Sequence, residues 1–185
     1  MSDVSYIIVN IDQQRLYCFD HNDKKKLDYP VSTSKFGVGS QNGCFKTPLG
    51  WHSIAQKIGG GCAINEVFVG RQPIGILADL MAGDETLPED IISSRILWLQ
   101  GEEVGINKPE NKGINNEVGD AEITDSYQRY IYIHGTSEET KIGSPASHGC
   151  VRMCNKDIIE LFDRVDEGCK VLIQQSEDTS GKENE

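Results

Sequence analysis

Alternation governs the first third of this chain. In residues 6–11 (Tyr6-Ile7-Ile8-Val9-Asn10-Ile11) and 15–19 (Arg15-Leu16-Tyr17-Cys18-Phe19), apolar side chains recur at strand spacing. Successive side chains of a strand point to opposite faces, so this pattern suits a sheet with one face buried and does not suit an amphipathic helix. Asp12-Gln13-Gln14 and the lysines at 24–26 fall where turns are required, and residues 27–32 read as a third strand. An antiparallel meander is therefore expected. Gly37, Gly39, Gly43 and Thr47-Pro48-Leu49-Gly50 punctuate the next stretch; residues 51–56 read as another strand, and Gly59-Gly60-Gly61 interrupts it.

Further along, residues 87–94 fit a short helix, 96–99 a buried strand, and 130–133 a strand that delivers His134 at its end. The clearest helix follows Cys150. Asn155 is its expected N-cap, Asp157 suits its first turn, Ile158, Ile159, Leu161, Phe162 and Val165 form its apolar face, and Gly168 stops it. Residues 170–173 make a last strand. The prediction is a mainly β, β-sandwich-like domain over residues 1–175 with a few short helices, a polar insertion or lid around 100–126 and a disordered acidic tail over 176–185. A chain of 185 residues buries roughly 70% of its unfolded surface, enough for a core without staples.

Charge and cysteine usage exclude several classes. With a formal net charge of -11, the chain has no general attraction to nucleic acid or anionic lipid, so an anionic ligand must be held by local cations. No segment approaches the roughly 20 apolar residues that span a bilayer. The glycines at 37–43 do not make a phosphate-binding loop with Lys46-Thr47. Six scattered cysteines suit reduced thiols, and the start of the chain shows no basic leader followed by an apolar run, so a cytoplasmic protein is expected. Neither a cofactor nor an obligate protein partner is indicated.

The reactive side chains gather between 134 and 152, in His134-Gly135 and in Ser147-His148-Gly149-Cys150-Val151-Arg152. A thiol has a pKa of about 8.5 and needs an imidazole or an electropositive setting to act as nucleophile. His134 is the better base because it sits on a separate element from Cys150 and can be aimed independently. The carbonyl of Gly135 can accept its Nδ1 proton and fix the tautomer. The backbone N–H groups of Gly149 and Cys150 suit an oxyanion. Arg152 and Ser147 are the candidates for binding substrate, with pairing to an acid of the protein as the alternative for Arg152. His134, His148, Cys150 and Cys154 carry atoms suited to zinc, but the paired spacing of a zinc site is missing and no metal is expected. Cys18, Cys62 and Cys169 read as core thiols, and His21 and His52 receive no role.

These motifs resemble the YkuD family of L,D-transpeptidase catalytic domains, whose signature is a His-Gly on a strand followed by Ser-His-Gly-Cys-x-Arg. The opening hairpin, Tyr29-Pro30-Val31-Ser32 and Thr47-Pro48-Leu49-Gly50 fit the same family. The resemblance implies Cys150 as nucleophile, His134 as base, Gly135 as the third element through its carbonyl, and His148 with the Gly149 and Cys150 backbone as stabilisers of the tetrahedral intermediate. It also implies a peptidoglycan stem peptide or muropeptide as substrate, with terminal D-alanine released and a thioester formed. Combined with the apparent lack of a leader, it leads to the expectation of an L,D-carboxypeptidase acting in wall recycling. The alternatives are a cross-linking L,D-transpeptidase, periplasmic or wall-associated if a leader has been removed, and a non-catalytic wall-fragment or metal-binding module.

Overall fold

The computed structural model describes residues 3–83, 86–87, 90–110 and 122–176. The expected meander is present as β1 (Tyr6–Asn10), β2 (Arg15–Phe19) and β3 (Lys25–Pro30), with β1 and β2 alternating between half-buried and buried positions. The buried set, Ile7, Val9, Leu16 and Cys18, enters one core. Next come β4 (Gly50–Ile58), β5 (Glu66–Val69), β6 (Gln72–Ile76), α1 (Leu77–Ala82) and β7 (Ile92–Gly101). The chain ends with β8 (Tyr132–Thr136), a 3₁₀ turn (Glu139–Lys141), β9 (Val151–Met153), α2 (Asn155–Arg164) and β10 (Lys170–Gln174). The mainly β expectation holds, with the strands joined in the order β3-β2-β1-β10-β4-β7-β5-β6, β8 branching from β7 and β9 pairing with β8.

The branch exists because β7 changes partners. Its Ile96 to Gly101 part pairs with β4, while Ile92 and Ser93 pair with β5; β8 lies along its other edge. The change falls at a bulge, where Ser94 has φ +65°. Bulges bend a strand and re-aim its side chains, and this one turns the sheet around β8. Two clusters result. The larger contains Ile133, Val151, Met153, Leu97, Leu99 and the α2 residues Ile158, Leu161 and Phe162. The smaller, on the other face of β8, contains Trp98, Tyr132, Ile96 and Phe68, with Cys150 packed against it.

The helix expected over 87–94 is not formed in its described part: Ile92, Ser93 and Ser94 belong to β7, and residues 88–89 lie outside the described residues. Ser93 and Ser94 are buried polar residues, and both hydroxyls donate to Asn155 Oδ1, at 2.7 and 2.6 Å, a tertiary bond that local pattern does not reveal. Helix α1 was not anticipated. Asn155 does not cap α2 with its side chain; Cys154 occupies the N-cap, and the Glu139 carboxylate accepts the Asn155 N–H at 2.7 Å. That acid satisfies a free helix donor and sits at the positive end of the helix dipole. Helix α2 ends at Arg164, before Gly168.

The polar stretch expected around 100–126 is anchored where it is described. Asn107 is fully buried and donates through Nδ2 to Leu49 O and Trp51 O, both at 2.9 Å, while Asp125 accepts from the Gly101 N–H. Residues 111–121 and 177–185, the remainder of this stretch and nearly all of the expected tail, lie outside the described residues.

Candidate active site

β8 and β9 run parallel, with Ile133 opposite Val151 and His134 opposite Arg152. Ile133, Val151 and Met153 face the larger core, which leaves Tyr132, His134, Cys150 and Arg152 on the other face. His134 lies in the middle of β8 rather than at its end, and 1% exposed. Cys150 immediately precedes β9. Its Sγ accepts the Tyr132 N–H at 3.4 Å and donates to the Tyr130 carbonyl at 3.4 Å. Strand register thus places the thiol and the imidazole, which the sequence separates by a loop, on one face of neighbouring strands.

His134 Nδ1 meets the Gly135 carbonyl at 2.8 Å, which makes Nδ1 the protonated nitrogen and leaves Nε2 as the basic one. Gly135 is required there. A Cβ on it would lie 2.5 Å from both Asn155 Oδ1 and the Ser93 carbonyl, distances that no side chain tolerates. Burial lowers the His134 pKa, against the opposing pull of the Asp90 charge and the Gly135 bond. Burial also pushes the Cys150 thiol up to about 12, against the Tyr132 N–H. Burial thus favours the neutral forms of both groups, so a thiolate here would have to arise by proton transfer and not from a standing ion pair.

The loop before Cys150 is held from several sides. Thr47, from the Thr-Pro-x-Gly turn, is fully buried; its Oγ1 donates to Gly149 O and accepts the Ser34 N–H, both at 3.0 Å. Gly149 has φ +124°, a left-sided value that glycine adopts without steric cost. Its N–H, expected to face an oxyanion, instead reaches Ser147 Oγ at 3.2 Å in this loop conformation. Ser147, expected to bind substrate, is fully buried, and its hydroxyl donates to the Cys150 carbonyl at 2.6 Å, so it braces the loop. His148 is exposed, flanked by the rings of Phe36 and Phe45 at 5.7 and 6.1 Å, and its Nδ1 lies 3.3 Å from Asp90 Oδ2.

Arg152, the other residue expected to bind substrate, is placed as a support. Its side chain is 2% exposed, with Nη2 2.7 Å from Asp90 Oδ1 and Nη1 2.9 Å from Glu138 Oε2. Both ends of the fork face protein acids, so the acid-pairing alternative describes its position. Asp90 and Glu138 are the site residues that sequence reasoning missed. Despite burial, which raises it, the Asp90 pKa is lowered overall by Arg152, His134 and His148. Asp90 thus supplies a fixed negative charge linking three residues of the site. Arg129, nearby, donates to Gly39 O at 3.0 Å and Lys46 O at 2.7 Å, holding the loop that carries Thr47.

Outside the site, His52 is fully buried in β4, with Nδ1 at 2.9 Å from Gly50 O and Nε2 at 2.9 Å from Ser126 Oγ. Burial, first among its influences, depresses its pKa from 6.5 to about 4. The unfolded chain takes up this proton near pH 6.5, so the contribution of neutral His52 is complete above that pH and is lost as pH falls toward 4. The full loss is about 3 kcal/mol. Urea unfolding midpoints are expected to drop between pH 7.5 and 4.5, and a His52→Gln variant is expected to show a shallower drop; parallel profiles would contradict this.

With this geometry in view, comparison with known proteins identifies the family. The YkuD family model, an L,D-transpeptidase catalytic domain, matches residues 4–173, and the chain belongs to that family. A probable L,D-transpeptidase YbiS of Escherichia coli K12 is 49% identical over 166 residues, covering 89% of this chain and 43% of its own length. A putative L,D-transpeptidase YkuD of Bacillus subtilis is 41% identical over 75 residues, or 40% of this chain and 44% of the relative. The chain spans less than half the length of these curated relatives. Among solved structures, an L,D-transpeptidase from Mycobacterium smegmatis superposes with TM-score 0.51 at 15% identity, covering 94% of this chain and 59% of that one. LdtMt1, solved in complex with imipenem, gives the same TM-score, identity and coverage. The structural likenesses establish the fold.

The expectation of a carboxypeptidase is corrected by these relatives, which are named L,D-transpeptidases. That expectation drew the acyl acceptor from the apparent lack of a leader. The beginning of a chain that spans part of its relatives is not informative on this point.

Proposed function

We propose that this domain is a cysteine L,D-transpeptidase that cross-links peptidoglycan stem peptides. The observation that carries the reading is the placement of Cys150 and His134 on one face of β8–β9, with His134 Nδ1 fixed by the Gly135 carbonyl. His134 Nε2 takes the thiol proton as Sγ attacks the carbonyl of the diamino acid's L-centre in a donor tetrapeptide. The Cys150 N–H and His148 face the resulting oxyanion. Asp90 offsets the charge of the transient His134 imidazolium, in keeping with its upward pull on that ring. Collapse breaks the C–N bond, His134 returns the proton to the leaving amine, and D-alanine departs from a thioester on Cys150. The amine of a second stem then attacks the thioester, giving up its proton through His134 to the departing sulfur. An amide cross-link forms and the thiol is restored.

Incubation with purified disaccharide tetrapeptide, followed by mass spectrometry of the products, tests this. Cross-linked dimers with one D-alanine released per link are the expected main product. Turnover confined to uncross-linked tripeptide, across a range of acceptor concentrations, would overturn the reading.

A further inference from the structure

The site faces an anionic peptide, yet the cations described so far are committed. Arg152 meets Asp90 and Glu138, and Arg129 donates to the carbonyls of Gly39 and Lys46. Arg71 differs from both. It lies in the two-residue turn between β5 and β6, where Gly70 has φ +55° and Arg71 φ +68°. Both signs match a type I′ hairpin turn, in which Asn or Gly is the usual occupant. An arginine in the left-handed region costs on the order of 1–2 kcal/mol. Its guanidinium is placed by aromatic rings, 5.0 Å from the Trp98 centroid and 5.1 Å from that of Tyr130, with the Tyr132 hydroxyl against it.

These three aromatics border the thiol. Trp98 is fixed in turn by stacking on Tyr127 at 4.1 Å, by an edge contact with Tyr132 at 5.4 Å, and by its Nε1–H to Tyr127 O at 3.0 Å. Tyr130, itself left-handed at φ +56°, presents its carbonyl to Cys150 Sγ, and Tyr132 presents its N–H to the same sulfur. Tyr130 therefore touches the reacting sulfur through its carbonyl and the guanidinium through its ring. The free carboxylate of the donor's last residue lies one residue beyond the carbonyl that sulfur attacks, a span of about 3.8 Å between Cα atoms. Among the described residues, no acid pairs with Arg71. Ring stacking and one bond to the Tyr132 hydroxyl leave other edge N–H groups of the guanidinium for a carboxylate.

We propose that Arg71 recognises the C-terminal carboxylate of the donor stem peptide and so restricts the enzyme to donors ending in a free acid. The inference rests on the transpeptidase reading and adds a specificity-determining residue to it. It accounts for a strained, ring-mounted cation beside an otherwise acid-braced site.

The test compares D-alanine release from the tetrapeptide with D-alaninamide release from its C-terminal carboxamide. The wild-type enzyme is expected to favour the acid by about 10- to 100-fold in kcat/KM, the range of a charged hydrogen bond. Arg71→Gln is expected to lose that factor on the acid while its rate on the amide stays within about twofold, so the ratio falls toward one. Arg71→Asn, which suits the left-handed turn at least as well, is expected to show the same collapse with unchanged thermal stability. Arg71→Lys is expected to restore part of the ratio. An unchanged ratio in the Gln and Asn variants, an equal loss on both substrates, or a wild-type enzyme indifferent to the amide would overturn the role of Arg71 alone. Wild-type enzyme that releases neither product would overturn the transpeptidase reading, and this inference with it.

Discussion

Replacing Cys150 by Ala is expected to reduce donor turnover by about 10⁴-fold or more while leaving the fold intact. Removal of a nucleophile abolishes the covalent route, leaving only what binding and oxyanion contacts contribute. Structural cost is small because Cys150 lies at the margin of the smaller cluster, outside the main core, and among the described residues the polar partners of its sulfur are one N–H and one carbonyl. The loop keeps its other ties, from Thr47 to Gly149 O and from Ser147 to Cys150 O. The thermal midpoint is expected within a few degrees of wild type, with donor binding retained in equilibrium measurements. Turnover above about a tenth of wild type would remove the thiol from the mechanism.

Gly135→Ala is expected to have the second largest effect, and by a different route. Its added methyl group would press on the Ser93 carbonyl and Asn155 Oδ1, each at 2.5 Å, and on Ile158 Cγ2 at 3.1 Å. Neither oxygen is a loose chain end. Ser93 belongs to the β7–β8 ladder, and Asn155 Oδ1 receives the hydroxyls of Ser93 and Ser94 while its Nδ2 donates to Thr136 O at 2.8 Å. The strand must therefore move, carrying the carbonyl that fixes His134. Overpacking of this kind costs about 1–3 kcal/mol, and misplacing a base by about 1 Å costs about 100-fold in rate. Gly135→Ala is thus expected to lower both the unfolding midpoint and kcat, with KM less affected. A variant of wild-type stability and kcat would show that the close approach at Gly135 is not required.

What the sequence revealed, and what it concealed, follows from the range of the interactions. β1 and β2 were legible because each buries one face, so burial is written as alternation. β7 is buried at every position from Ser93 to Leu99, and without alternation its start reads as helix. The Cys150 run stands out in the sequence because thiol, glycine and imidazole are consecutive. Asp90 and Glu138 do not, since each meets Arg152 across 62 and 14 positions of chain and neither sits in a periodic pattern. Asn155 illustrates the same limit at one residue: its type and position suit a helix cap, but tertiary partners take its side chain. The placing of Arg71 is not legible in the sequence either, because it depends on a hairpin turn and on rings 27 and 59 residues away.

The hydrolytic expectation failed for a different reason. The proposed thioester chemistry draws on residues close together in one motif set, Cys150 and His134, whereas a choice between water and an amine acceptor is not written in that motif. The names of the relatives corrected it, and product analysis tests it in solution.

Acylation at Cys150 is the claim on which the rest depends, and imipenem is a suitable probe because a thiol nucleophile that opens its β-lactam ring stays acylated without needing an acceptor. Intact-protein mass spectrometry after incubation with imipenem, followed by peptide mapping, is predicted to show one adduct per chain on the peptide containing Cys150, and none on Cys150→Ala. An unmodified wild-type protein, or an adduct that persists in Cys150→Ala, would contradict the account.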